Sequence, residues 1–406
     1  MKRKAVITGM GIWSCLGTDT LQVRDSLYEG RSGIVLDPSR KEMGFRSALT
    51  ALVPSPSLKS ELSRNVRTFM SQEAQYAYCA TRDALAQARL DGDFLASNDV
   101  GLLYGNDSSA ESVYTALRTV EEKKDTMLCG AGAIFRSMNS NVSMNLGCIF
   151  KLRGINLTVS GACASGSHAI GLAAMLVSSG LQDIVVCGGA QEVNPYGVAA
   201  FDGISAFSMR EDEPARASRP FDRDRDGLVP GGGAATLVVE SLESAARRGV
   251  RPIAEILGYG FSSNGDHIST PNVEGPAKSL EMALRSSGVS LREIGYINAH
   301  ATSTQVGDAN EARAISSVIG DSGIPVTSTK GQTGHEMWMA GASEVIYSIL
   351  MMKGGFIAGN LNFEHPDEAS ARLNIPALRI DRGFNCFISN SFGFGGTNST
   401  LVVGNV

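Results

Sequence analysis

The sequence predicts an α/β protein built on a largely parallel, buried sheet. Short, near-continuous apolar runs alternate with longer helical patterns from end to end. Two series of such runs follow one another with similar order and spacing. The chain has 406 residues, 43% hydrophobic and 19% charged, which suits an ordered protein with core enough for two domains or one two-part unit.

The first series of strands reads "KAVITG" (4–9), "VGLLYG" (100–105), "INLTVS" (155–160), "DIVVCGG" (183–189) and "AATLVVE" (234–240). The second reads "PIAEILGYG" (252–260), "GYINAH" (295–300), "IPVTST" (324–329), "NCFISN" (385–390) and "TLVVGN" (400–405). Helical periodicity marks 71–90, 167–180 and 275–288 between them. The join falls near "ARRGVRP" (246–252), dividing the chain into halves 1–250 and 251–406. Loops rich in glycine, proline and charge at 210–233 and 260–276 lie where functional loops are expected.

Composition excludes several classes. A net charge of −5 implies no broad affinity for nucleic acid. Seven cysteines without CxxC spacing point to reduced thiols in a cytoplasmic protein, not to disulfides or a metal site. The start "MKRKAVITGMGIWSC" imitates a signal segment, but Gly9 and Gly11 break the apolar run and Trp13 stands where small residues are wanted. It reads as a first buried strand. No apolar run is expected to reach the length of about 18 residues needed for membrane insertion.

"TVSGACASGSHAIG" (158–171) places Cys163 at a strand-to-helix turn. Two readings stay open on this stretch alone: an inert cysteine at a tight packing turn, or a nucleophile on an elbow whose helix N-terminus favours a thiolate and offers free N–H groups to an oxyanion. Five histidines are present. His300 closes one strand and His335 follows Lys330 by five residues in a Gly/Thr-rich loop. Ligands in α/β sheets bind beyond the carboxyl ends of strands, where Cys163, His300 and Lys330 all fall. His168 reads as packing or capping, and His267 and His365 as surface residues. "ISNSFGFGGTNSTLVV" (388–403) is a glycine-rich turn before the last strand; it lacks the GK[ST] of a phosphate loop, and "GMGIWS" (9–14) lacks the context of a dinucleotide loop.

"GACASG", "NAHATSTQVGD", "STKGQTGH" and "NSFGFGGTN", in this order and spacing, with "ASRPFDRDRDGLVPGGGAA" (217–235), resemble the β-ketoacyl-acyl carrier protein synthases of the elongating class (types I and II). The resemblance covers the whole chain. It implies a thiolase-like fold of two similar βαβαβαββ halves in a five-layered α-β-α-β-α arrangement, and a homodimer, with a heterodimer as the alternative. It implies decarboxylative condensation of malonyl-acyl carrier protein with an acyl chain held on Cys163, in fatty acid elongation. The alternatives are a ketosynthase of a specialised polyene or polyketide pathway and a silent partner subunit. No cofactor is expected, since phosphopantetheine arrives on the carrier.

The same resemblance assigns roles. Cys163 takes the acyl chain. His300 and His335 assist decarboxylation and hold the enolate. Lys330 organises the site, and Glu311 is the acidic partner of its network. The N–H groups of Cys163 and Phe394 form the oxyanion hole, with Phe394 as gate. Thr302 and Thr304 bind the phosphopantetheine arm, Phe392 lies in the substrate site, and Ser108 lies in the acyl tunnel, which so small a residue is expected to leave open. Chain-initiating relatives have Asn at the position of His335, thiolases carry a second cysteine where "FGFGG" stands, and chain-length factors lack Cys163. Two departures stand out: Ala301 where glycine is usual, and "EMWM" (336–339) after His335, which leaves two readings open: Glu336 raises the histidine's pKa and Trp338 reshapes the interior, or the packing compensates for both. Carrier proteins are acidic, so Arg64, Arg67, Lys123 and Lys124 are candidates for a basic dock.

Overall fold

A computed structural model describes residues 3–406. Ten strands form one continuous sheet: β1 (Ala5–Trp13), β4 (Gly101–Gly105), β5 (Asn156–Val159), β6 (Ile184–Gln191), β7 (Gly233–Ser241), β8 (Ala254–Ser263), β9 (Tyr296–Asn298), β10 (Val326–Thr327), β11 (Cys386–Phe392) and β12 (Thr397–Gly404). A separate ribbon pairs β2 (Ile34–Leu36) with β3 (Leu49–Ala51). The order in the large sheet is β10-β9-β11-β12-β8-β1-β7-β6-β4-β5. Outward from the β1–β8 seam the two halves carry the same topology: β1, β7, β6, β4, β5 on one side and β8, β12, β11, β9, β10 on the other. The seam itself is short, pairing Val6 with Glu255 and Ile7 with Ala254.

All ten expected strands are present, but the sheet is less parallel than the sequence suggests. β4, β5 and β6 run parallel, as do β9, β10 and β11; β7, β12 and the seam pair antiparallel. A strand buried on both faces is apolar whichever way it runs, so apolarity does not report direction. β1 also runs on to Trp13, through Gly9 and Gly11. These glycines lie against an alanine-rich helix: a Cβ at Gly9 would sit 2.1 Å from the Ala84 carbonyl oxygen, and one at Gly11 2.0 Å from that of Ala80.

Seven helices matter for the site. They are α1 (Gln72–Gln87), α2 (Ala110–Lys123), α3 (Asn141–Phe150), α4 (Ser165–Ser179), α5 (Glu274–Ser287), α6 (Gln305–Ile319) and α7 (Ala340–Gly354). The Ser71 hydroxyl caps α1, and left-handed Gly180 and Gly288 end α4 and α5. α1 and α3 cover the outer face of the first half, α5 and α6 that of the second, and α4 and α7 lie between the halves. Each half reads βαβαβαββ, and the layers alternate α-β-α-β-α. One central core spans both halves, from Ile7 and Val185 to Val345 and Phe387. The stretch Ala162–Ser179 is long and apolar enough to pass as a membrane span, against the expectation from sequence. It is the central helix of the protein, apolar because sheets pack on two sides of it.

Candidate active site

Four strand ends build the site. β5 leads through Ser160 and Gly161 into the turn Ala162–Ala164 and then α4, so Cys163 stands at a strand-to-helix elbow. Ala162 has φ +45°, a left-handed conformation that an L residue keeps only when its surroundings enforce it. Asp107, just past β4, enforces it: one carboxylate oxygen accepts the Ala162 N–H at 3.0 Å, and the other accepts the Ser160 hydroxyl. Cys163 is buried, and the N–H groups of Cys163 and Phe394 both reach its sulfur. Burial nonetheless pushes the thiol up to about 12, with Lys330 opposing and Asp107 reinforcing the shift. The helix N-terminus does not make a resting thiolate, as the sequence suggested; desolvation of sulfur in an apolar pocket outweighs it.

His300 follows β9 and His335 follows the β10 turn. Their rings meet edge to face with centroids 5.3 Å apart. Burial, with Lys330 next, holds both imidazoles well below their ordinary pKa, so both are neutral near pH 7. The Nδ1 atoms of both rings are buried without a hydrogen-bond partner. Of the two readings of Glu336, the rise at His335 does not occur. Glu336 turns away from the ring and accepts from Ser343 Oγ at 2.5 Å and Tyr347 Oη at 2.8 Å, both on α7.

Lys330 is buried in an ion pair with Glu344 of α7. The acid bonded to Lys330 is therefore Glu344, not Glu311. Glu311, on α6, accepts the backbone N–H groups of His300 at 2.9 Å and Ala301 at 2.6 Å, and the Asn390 amide at 3.2 Å. It positions the His300 loop. Asp308 does the same for the next segment, accepting from Ser303 N–H at 3.1 Å and Thr304 N–H at 3.2 Å. The hydroxyls of Thr302 and Thr304 lie 3.1 Å apart. Ala301, where glycine is usual in the resembling family, buries its methyl in the outer core of the second half.

A cavity of about 400 Å³ brings Cys163, His300, His335, Thr302, Thr304 and Phe392 together. Phe392 tilts against His300 at 5.8 Å. Phe394, at 43% exposure, stacks on Phe201 at 5.9 Å beside the cavity mouth. His168 bridges Tyr259 and Thr397, as its packing role required. His267 is exposed and lines the mouth. Ser108 does not leave an open tunnel: the Trp338 indole N–H donates to its hydroxyl at 3.2 Å. Arg64, Lys123 and Lys124 are exposed, while Arg67 is half-buried with Nε on the Leu62 carbonyl at 3.1 Å. None of the four lines the cavity.

Sequence reasoning missed Asp107, Glu344, Asp308 and Phe201. Only Glu344 left a usable signal, as a lone acid within the apolar helix "AGASEVIYSILMM" that must find a buried cation.

The geometry brings a buried thiol, the N–H groups of Cys163 and Phe394 and two neutral imidazoles together at one cavity. The model of the β-ketoacyl synthase N-terminal domain matches residues 2–245, and that of the C-terminal domain matches residues 253–364. The chain is 40% identical over 404 residues to "3-oxoacyl-[acyl-carrier-protein] synthase 1" of Haemophilus influenzae, covering 98% of each chain. It is similar in structure to a β-ketoacyl synthase from Burkholderia phymatum, with a TM-score of 0.95 at 35% identity and all of both chains covered. It is also similar to a chain of AntDE:AntF, a type II PKS acyl-carrier protein in complex with its ketosynthase, with a TM-score of 0.91 at 27% identity over all of both chains.

Proposed function

The chain belongs to the β-ketoacyl synthase family, and from that premise we propose that Cys163 carries the growing acyl chain as a thioester. The protein is an acyltransferase that condenses malonyl and acyl units in fatty acid elongation. Cys163 Sγ attacks the carbonyl of an acyl thioester; the S–C bond to Cys163 forms as the pantetheine thiol leaves with the cysteine's proton. The carbonyl oxygen passes through an oxyanion held by the N–H groups of Cys163 and Phe394. Malonyl thioester then loses CO2, and the electron pair of the broken C–C bond becomes an enolate whose oxygen His300 and His335 hold as neutral N–H donors. That carbanion attacks the acyl-Cys163 carbonyl, forming the new C–C bond and releasing the cysteine sulfur.

No strong base is required, because decarboxylation generates the carbanion. This matches a site with two neutral imidazoles. Burial keeps the imidazoles unprotonated, and the charge of Lys330, paired with Glu344, adds to it. Thr302 and Thr304 bind the phosphopantetheine arm, which arrives on the carrier, so the enzyme brings no cofactor of its own. The partner is an acidic acyl carrier protein, docked on Arg64, Arg67, Lys123 and Lys124. Phe69, which follows the Arg64–Thr68 segment, meets Phe135 edge to face at 5.2 Å, and the short helix of Phe135 packs on α2, which ends at Lys123. The free edge of β5, with Leu157 and nearby Met175 exposed, supports a homodimer. Seven free thiols support a cytoplasmic location.

The presence of Cys163 with both imidazoles in one cavity carries this reading and weighs against a silent subunit. Intact-protein mass after incubation with acyl-acyl carrier proteins tests it. A thioester-sized gain in the wild type and none in Cys163→Ala is expected. No gain with any donor would overturn it.

A further inference from the structure

Cys163 has two unlike sides. One opens into the cavity, where the side chains of Thr302, Thr304, Asn264 and Asn398 offer hydroxyl and amide partners that suit an amide-bearing pantetheine arm. The other is apolar: Cys163 shares a cluster with Val198, Phe207, Leu228, Met337 and Trp338. An acyl chain on Sγ must extend into the apolar side, since burying it there removes hydrocarbon from water while the arm occupies the other.

That side is already filled close to the sulfur. The turn Met337–Met339 packs directly on Ala162–Ala164. Trp338 is 7% exposed. Its indole N–H is bonded to Ser108, and its ring leans on Phe201 at 6.3 Å. The backbone behind it is clamped as well. The Trp338 carbonyl oxygen lies where a Cβ on Gly166 would come within 3.0 Å and one on Gly189 within 2.5 Å. Met337 is held at φ +47°. Asp107 fixes the nucleophile turn and the adjacent Ser108 fixes the indole, so one strand end locks both.

We propose that Trp338, held by Ser108, is the end wall of the acyl chamber and restricts the acyl group on Cys163 to short chains. This rests on Cys163 being the acyl acceptor. A long chain must displace an indole that is hydrogen-bonded, tilted against Phe201 and carried on a closely packed backbone, whereas a short one stops before it.

Loading rates of butyryl- and hexadecanoyl-acyl carrier protein onto the full-length protein, read by intact mass, test the wall. The wild type should load hexadecanoyl about tenfold or more slowly than butyryl. Trp338→Ala should raise the hexadecanoyl-to-butyryl ratio about tenfold. Ser108→Ala, which frees the indole, should raise it less. Trp338→Phe, which keeps an aromatic ring in the fold, guards against a misfolded alanine variant and should also raise the ratio. Equal loading of both chains by the wild type, or an unchanged ratio in the folded Trp338 variants, would overturn the wall. Loading of neither chain would instead overturn the acyl-acceptor reading, and the wall with it.

Discussion

Replacing Glu336 with glutamine should make the protein less sensitive to alkali. The carboxyl is buried, and burial pushes it from 4.5 to about 7 despite hydrogen bonds from Ser343 and Tyr347 and the nearby Lys330 charge. A group held more tightly protonated when folded contributes stability that is complete below its unfolded pKa and lost as pH rises through the folded one. The difference between 4.5 and about 7 corresponds to about 3 kcal/mol, at about 1.4 kcal/mol per unit. Glutamine keeps an acceptor for Tyr347 and a polar partner for Ser343 but never ionises. It also removes the repulsion that Glu336 exerts on Glu344, which acts in the same direction. Urea unfolding at one protein concentration, in steps from about pH 5 to about pH 8.5, should show Glu336→Gln gaining on the wild type by about 3 kcal/mol across that range. Other buried acids tilt both curves and largely cancel in the difference. Curves that stay parallel would refute the reasoning, because Glu336 would then ionise equally easily folded and unfolded.

Asp107→Asn should have two opposed effects. Removing the charge that helps raise Cys163 should shift the pH profile of iodoacetamide alkylation to lower pH, while loss of one acceptor loosens the elbow and slows acyl loading; an unmoved or raised profile would contradict this. Charge reversal at Arg64 and Arg67 should raise the apparent KM for carrier-bound malonyl, most strongly at low salt where screening is weakest. An unchanged KM at low salt would reject the dock.

Local sequence revealed what local chemistry determines. Apolar runs located all ten strands, Ser71 and Gly180 bounded their helices, and the setting of Cys163 as a strand-to-helix turn was legible from residues 155 to 171. Strand direction was not, because β7 and β12 look like their parallel neighbours once buried on both faces. Roles that depend on distant segments were also hidden. Glu311 follows His300 by eleven residues and invites a charge role, but its oxygens go to backbone N–H groups. Lys330 meets its acid only where α7 packs beside the β10 turn. Glu336 adjoins His335 in sequence, yet α7 draws its side chain away from the imidazole. Ser108 promised space that Trp338, 230 residues on, occupies.

The central layer also decides how this enzyme can move. α4 carries the nucleophile's half of the site and α7 follows the half with Lys330 and His335, and the two helices touch backbone to backbone: a Cβ on Gly341 would fall 2.5 Å from the Ser167 nitrogen. Surfaces packed so closely do not slide by continuous amounts. Opening and closing by rotation of one half against the other is thereby closed off. Freedom of movement lies instead at the rim, where Gly395 and Gly396 take left-handed angles beside the exposed Phe394 ring. If Phe394 is the gate, a change at that short turn would alter substrate exchange while leaving Cys163, His300 and His335 in place.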